Sequence, residues 1–331
     1  MTKIDQIWND LENDKSLSRG LLLRRYSASS LPDVYVALQQ PEGLRCVALK
    51  IHGDNDLNTL RYSNLKDIHV TVVPDDNDNT GRFLLIVLAN NEYNEVFATL
   101  AEDLINQITS IADEERLLKE VLNRFEKWKA LFDKATSEGL TPEEQRGLYG
   151  ELYFMRKWVS ESPDLQKCVQ SWLGPEKGLR DFQSDGWGIE IKTTFGNNHQ
   201  KIHISSERQL DTTNLSILIL YHLSLESQQG NGETLNQIVG SITESLSQDV
   251  SAQLQFRSKL LQGGYFFHHA FRYDLTGYQI RQELFYRVRD NFPRIEEVDI
   301  RAGIGDVKYS IMLSEQSEYL VPETFVFETI N

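Results

Sequence analysis

The chain has 331 residues, 40% hydrophobic and 25% charged, which excludes a fibrous or mainly disordered protein and suits one large or two modest globular domains. No run reaches the roughly 18–20 apolar residues of a membrane span, and the opening MTKIDQIWND carries no secretory h-region. The formal net charge of −15, from 34 Lys+Arg against 49 Asp+Glu, excludes a generally basic nucleic-acid coat, so any phosphate binding must come from a local patch, a divalent metal or a partner subunit.

Cys46 and Cys168 are too few for a disulfide framework or a zinc cage, and reduced thiols in the cytoplasm are expected. Ile4, Ile7, Trp8 and Leu11 mark a helix over 3–12. Segments at 33–38, 44–51, 68–73 and 82–89 alternate as strands, and helices are expected near 94–109 and 113–135. Val73–Gly81 (VPDDNDNTG) reads as a solvated loop between strands, because it lacks the glycine and terminal glutamate of a calcium loop. Residues 1–135 thus form a sheet-plus-helices domain without a catalytic constellation, expected to bind a partner or help recognise a target. A second domain covers 136–331.

Thr141-Pro142-Glu143-Glu144 starts a helix, with Thr as cap, Pro at the first position and Glu144 closing a capping box. Leu148, Leu152, Met155 and Val159 form its buried stripe, with Glu151 at the edge, where a carboxylate can point into a cleft. Gly147 and Gly150 weaken the helix by about 1 kcal/mol each and suit a close approach by backbone or ligand.

Asp185-Gly186 signals a two-residue hairpin, expected as a type I′ turn with positive φ at both residues. Counting outward pairs Ser184 with Trp187, Gln183 with Gly188, Phe182 with Ile189 and Asp181 with Glu190. Period two then puts Asp181, Glu190 and Lys192 on one face, and Phe182, Ile189 and Ile191 on a face that can be buried. Opposed carboxylates repel unless neutralised, and a hard divalent cation, Mg²⁺ with Mn²⁺ as a substitute, is the simplest neutraliser. Lys192 can then orient the attacking water or stabilise developing charge in phosphodiester hydrolysis. A second acid-x-lysine triplet, Asp306-Val307-Lys308, has neither the tight turn nor a preceding helical glutamate.

GLYGELYFMRKW, RDF, IEIKTT and HISSERQLD together resemble the PD-(D/E)XK nuclease superfamily, in particular bacterial PD-(D/E)XK motif proteins of restriction and phage-defence loci. The resemblance spans roughly residues 140–313, including GGYFF at 263–267 and NFPRI at 291–295. It implies an α/β (α+β) fold: a restriction-endonuclease-like mixed central sheet flanked by helices. It also implies Asp181 as the motif aspartate, Glu190 as the second acid, Lys192 as the lysine and Glu151 as the helical acid that some members add. Arg180 stands where many members have proline. Such folds also serve as inactive subunits.

KIHIS (201–205) reads as a third strand, followed by a helix start with Ser205 or Ser206 as cap and Gln209 as a capping or site-facing residue. His199 is a weaker candidate base. Leu215–Leu223 reads as a strand buried on both faces, and helices follow at 234–246 and 249–261. Over 256–294, Arg257, Lys259, Arg272, Arg281, Arg287, Arg289 and Arg294 face Asp274, Glu283 and Asp290 among ten aromatics. This suits either a phosphate-tracking surface or an aromatic core with a solvated basic face. Lys201, Arg208, Arg257, Arg272, Arg281 and Arg287 are the candidate nucleic-acid contacts. His268-His269 lacks partners for a metal.

The expected function is a Mg²⁺-dependent DNA endonuclease of a restriction-modification or anti-phage system. Glu151, Asp181 and Glu190 would hold the metal, with Lys192 and Gln209 beside them. Alternatives are an inactive nuclease-like DNA- or protein-binding subunit, or a nuclease for RNA or branched DNA. No P-loop is present, so ATP-driven translocation would need another chain. A methyltransferase, helicase or ATPase is the expected kind of partner, and a homodimer would explain cutting of both strands.

Overall fold

The structure is a computed structural model that describes residues 3–52, 67–75, 78–135, 139–196 and 200–331. It divides into two compact units, Met1–Glu138 with Phe266–His268, and Gly139–Tyr265 with His269–Asn331. No helix among the described residues is long and apolar enough to cross a membrane.

The first unit contains α1 (Lys3–Asn13), β1 (Gly20–Arg25), β2 (Val34–Gln40), β3 (Leu44–Ile51), β4 (Ile68–Asp75), β5 (Asp78–Leu88), α2 (Asn94–Ile108) and α3 (Glu114–Ala135). The strands make one antiparallel sheet in the order β1-β2-β3-β5-β4. The apolar stripe of α1 is buried as expected, and its Trp8 indole donates to the Ala37 carbonyl at 2.9 Å. Strand β1 escapes sequence reading because GLLLRR neither alternates nor carries a β-branched residue.

Val73–Gly81 is not a loop: β4 runs through Asp75 and β5 starts at Asp78, with 76–77 outside the described residues. The physical reason is Lys50 of β3, whose Nζ lies 2.9 Å from both Asp75 Oδ2 and Asp78 Oδ2. That ammonium removes the repulsion that would otherwise keep two acids out of a hairpin.

The second unit begins with α4 (Pro142–Glu161) and α5 (Leu165–Gln170). It continues through β6 (Phe182–Ser184), β7 (Trp187–Phe195), β8 (Lys201–Ile204), β9 (Ile217–Gln229) and β10 (Glu233–Thr234). Then follow α6 (Leu235–Ser245), α7 (Val250–Gln262), α8 (Ala270–Tyr273), β11 (Thr276–Arg287), β12 (Tyr309–Met312), β13 (Leu320–Val321) and α9 (Glu323–Ile330). The central sheet runs β10-β11-β9-β7-β6, with β13 on β11. It is mixed, because β7 and β9 are parallel while the other pairs are antiparallel.

Side-chain alternation gives this sheet two buried faces. Ile189, Ile191, Ile219 and Tyr221 join the core built with α4–α7 and α9. Leu218, Leu220 and Tyr286 point the other way, into a second core with Ile202, Ile204 and Ile311. Strand β8 forms as expected, but it leaves the central sheet and pairs with β12 in a separate two-stranded ribbon that covers this second face. The arrangement is a mixed α+β fold consistent with a restriction-endonuclease-like domain.

Candidate active site

Helix α4 starts as its sequence dictates. Glu144 N–H donates to Thr141 Oγ1 at 3.3 Å, and Thr141 N–H donates to Glu144 Oε2 at 2.8 Å. The expected stripe is buried and is widened by Tyr149, Phe154 and Trp158. Gly150 lets the helix sit on β7, since a Cβ there would run into Thr193 Cγ2. Glu151, on the next position of the helix, is thereby brought to the edge of the central sheet.

Three of the four expected pairs form: Ser184 opposes Trp187, Gln183 opposes Gly188 and Phe182 opposes Ile189, while Asp181 precedes the strand and is not paired with Glu190 in the ladder. The turn differs in kind. Gly186 has φ +82°, but Asp185 is not among the positive-φ residues, so the turn is not type I′. Glycine alone takes the left-handed conformation and Asp185 avoids the Cβ penalty. The Gly186 carbonyl also accepts from Ser216 N (2.7 Å) and Ile217 N (3.2 Å), which fastens the turn to the start of β9.

Asp181, Glu190, Lys192 and Glu151 line one open cleft of about 640 Å³, together with Lys201, His203, Ser205 and Gln209. Glu190 and Lys192 pair in register with Leu220 and His222 of β9, so they lie on the face covered by the β8–β12 ribbon. Glu190 is 1% exposed, and its Oε1 lies 2.7 Å from Lys192 Nζ while its buried Oε2 has no hydrogen-bond partner among the described residues. Lys192 Nζ also donates to Gln209 Oε1 at 3.2 Å, and that oxygen accepts from Ser205 N and Oγ at 3.0 Å each. Asp181 Oδ2 accepts from Ile191 N at 2.7 Å. Glu151 Oε2 accepts from the Trp172 indole at 2.7 Å.

Burial and then the Asp181 charge push the Glu190 carboxyl up to about 8, against the pull of Lys192. Burial likewise raises Glu151 and Asp181, with the Asp181 charge adding to the rise of Glu151. Burial pulls Lys192 down, but the carboxylates, Glu190 foremost, outweigh it and hold the ammonium charged. One buried acid and two half-buried ones sharing a single tethered cation are short of positive charge.

A divalent cation would relieve this, and the donors are hard oxygens of the right kind. Among the described residues no group of three or more His, Cys, Asp or Glu is arranged as a ready-made metal cage. Mg²⁺ does not require one: it takes one or two carboxylates and fills the rest of its shell with water and phosphate oxygens. Glu190 with its unpaired Oε2 and Asp181 fit that demand, with Glu151 behind them.

Several supporting residues carry no signal in the sequence, because their contacts are distant along the chain. Trp172 fixes Glu151. The backbone N–H groups of Leu173 and Gly174 donate to the Asp181 carbonyl at 2.7 and 3.0 Å. Lys259, 3% exposed on α7, holds this segment by donating to the Gln170 carbonyl at 3.0 Å and to the Trp172 carbonyl, and pairs with Glu176 at 3.2 Å. Arg180, at the position where many members have proline, is buried and ties the motif to the following turn through Gln183 Oε1 (3.0 Å) and the Asp211 carbonyl.

The remaining sequence candidates divide. Lys201 lines the cleft. Arg208 is exposed beside it on a short 3-10 turn, Glu207–Leu210, whose cap is Ser206 rather than Ser205. Arg257 on α7, Arg272 on α8, and Arg281 and Arg287 on β11 do not line the cleft, and β9 separates β11 from β7. Tyr265, Phe266, Tyr273, Tyr278 and Tyr286 are core residues, while Phe267 is exposed. Asp306 and Lys308 are exposed and do not line the cleft. His199 lies outside the described residues. Cys46 and Cys168 are buried free thiols.

No curated protein and no solved structure matches the chain. A family model does, over residues 4–314, and the mixed sheet, the hairpin and the acid–acid–lysine cluster are what its description leads one to expect: the chain belongs to DUF4420, described as "Putative PD-(D/E)XK family member".

Proposed function

We propose that this protein is a divalent-metal-dependent nuclease that hydrolyses phosphodiester bonds in DNA, within a bacterial restriction or phage-defence system. The observation that carries the reading is the convergence of Glu151, Asp181, Glu190 and Lys192 in one cleft, with a buried carboxylate oxygen that has no partner among the described residues. Asp181 and Glu190, supported by Glu151, would hold Mg²⁺. When bound, the ion supplies Lewis-acid neutralisation of the phosphate charge. Lys192, kept charged by its acidic neighbours and aimed by Gln209, stabilises negative charge on the reacting phosphate or holds the attacking water.

The test is cleavage of DNA with Mg²⁺ or Mn²⁺. Wild type is expected to cut; Asp181→Ala, Glu190→Ala and Lys192→Ala are expected to fold and not to cut. Nicking by Glu190→Ala at the wild-type rate refutes the assignment. A panel of duplex, single strand, junction and RNA fixes the substrate class.

A second reading, a non-enzymatic subunit that binds protein or DNA, is favoured by the cleft lining. There Arg146, Lys192 and Lys201 are set against Glu143, Glu151, Asp181 and Glu190. Calorimetric titration with Mn²⁺ separates the two, because a scaffold needs no ion at Asp181 and Glu190.

A further inference from the structure

Phe195 ends β7, the strand that carries Glu190 and Lys192, and is 50% exposed although its neighbour Thr194 is buried. A single exposed aromatic is unremarkable on an open surface. This one lines the same cleft as the carboxylates. Alternation turns it toward α4, where the Arg146 guanidinium lies over its ring at 5.4 Å from the centroid. The cation braces one face of the ring. Gly196, with φ +79°, breaks the strand immediately after it.

The cleft is poor in cations for a duplex. A protein that grips duplex through the backbone neutralises roughly 6–10 phosphates with Lys and Arg; here three bases are outnumbered by four acids. Stacking of a nucleobase on an aromatic ring needs no net charge and tolerates any sequence. It does need a base whose face is free, and inside a duplex each face is covered by its neighbours. Phe195 lies three residues beyond Lys192, about 10 Å along the strand and on its opposite face, so a bound strand would pass round the edge of β7 that β6 leaves unpaired beyond Ile189. That places a stacked base within a few nucleotides of a phosphate at the lysine.

We propose that Phe195, braced by Arg146, is a base-stacking platform, and that the cleft accepts a nucleic-acid strand with an unpaired nucleotide beside the scissile phosphate. The inference rests on the nuclease reading for the position of that phosphate, but not on turnover for its test.

The test is fluorescence anisotropy in EDTA at about 0.1 M salt, with a labelled strand of roughly 12 nucleotides, its blunt duplex, and the same strand with abasic positions. Wild type is expected to bind the single strand at least about tenfold more tightly than the duplex. Phe195→Ala is expected to lose about tenfold toward the intact strand and little toward the abasic one. Phe195→Trp should retain binding and show indole quenching by the intact strand only. Wild-type affinity in Phe195→Ala, equal affinity for intact and abasic strands, duplex preference, or no measurable binding of the single strand would each overturn the proposal. Absence of cleavage in Mn²⁺ with the Phe195-dependent binding intact would instead remove the nuclease reading alone.

Discussion

Gly174 offers a substitution that the fold should tolerate and the chemistry should not. It opens a one-turn 3-10 helix, Gly174–Glu176. A Cβ there would stand closer to Glu151 Oε2 than contact allows, 3.0 Å from Glu151 Cδ and 3.3 Å from Asp181 Oδ1. Gly174→Ala therefore forces one of two movements. If the 173–174 segment moves, it loses two backbone hydrogen bonds to the Asp181 carbonyl. If Glu151 swings away, it loses the Trp172 hydrogen bond, worth about 1.5–3 kcal/mol to a charged acceptor. The second movement also relieves the repulsion from Asp181 and Glu190, so it is the cheaper one. Replacing glycine restricts the unfolded chain and returns up to about 1 kcal/mol. The net loss of stability in EDTA should thus be about 1–2 kcal/mol, read by thermal unfolding. Mn²⁺ affinity by calorimetry should fall about 10–100-fold, as when a metal site loses the support of its ligands, and cleavage should fall with it. Gly147→Ala is the control, because nothing lies within 4 Å of its added Cβ. It should stabilise α4 by about 1 kcal/mol and leave Mn²⁺ affinity unchanged. Wild-type Mn²⁺ affinity and cleavage in Gly174→Ala would refute the placement of Glu151 in the ion site.

Three further outcomes are expected. Glu190→Gln should unfold at higher temperature than wild type in EDTA at pH 8, because it removes a buried carboxylate held near a second acid, and should show no Mn²⁺-induced stabilisation. In EDTA the wild type should lose stability as pH rises from about 4.5 to about 8. Glu190 binds its proton more tightly folded than unfolded over that window, so each rise in pH withdraws protons that favour the folded state. Mn²⁺ should offset the loss increasingly with pH, and a flat metal-free profile in denaturant titrations would contradict the buried placement of Glu190. Lys259→Met should cost about 1–3 kcal/mol by leaving the Trp172 carbonyl buried without a donor. Lys259→Arg should recover part of that, and a wild-type melting curve for Lys259→Met would refute the clamp.

What could be read from the sequence was what short-range rules govern. The α4 start is local chemistry among four residues, and the Phe182–Ile189 register follows from a two-residue turn and strand alternation. Glu190 and Lys192 share one face of β7 for the same reason, whereas Glu151 joins them only through the packing of α4 on β7. The turn type was missed because the docking of Gly186 onto Ser216 is a tertiary contact. The β8–β12 ribbon joins segments more than a hundred residues apart, and α9, which stacks Phe327 on Phe154, is only eight residues long, too short for its apolar pattern to mark a helix against a strand. Lys259 read as one positive charge among seven in a candidate basic surface; burial beside two carbonyls makes it a clamp instead. Lys50 shows the same limit from the other side, since its ammonium on a neighbouring strand offsets two acids in a stretch that reads as a loop.

The contact between Lys192 and Glu190 bears on the order in which the protein is assembled. An acidic pocket that carries its own counter-ion on a neighbouring side chain does not have to wait for an external one before the polypeptide closes around it. Zinc-finger domains, whose folding free energy is the binding free energy of the ion, have no such reserve. Here the scaffold would be complete first and any ion would arrive last, entering against an occupant that is covalently part of the chain and cannot diffuse away.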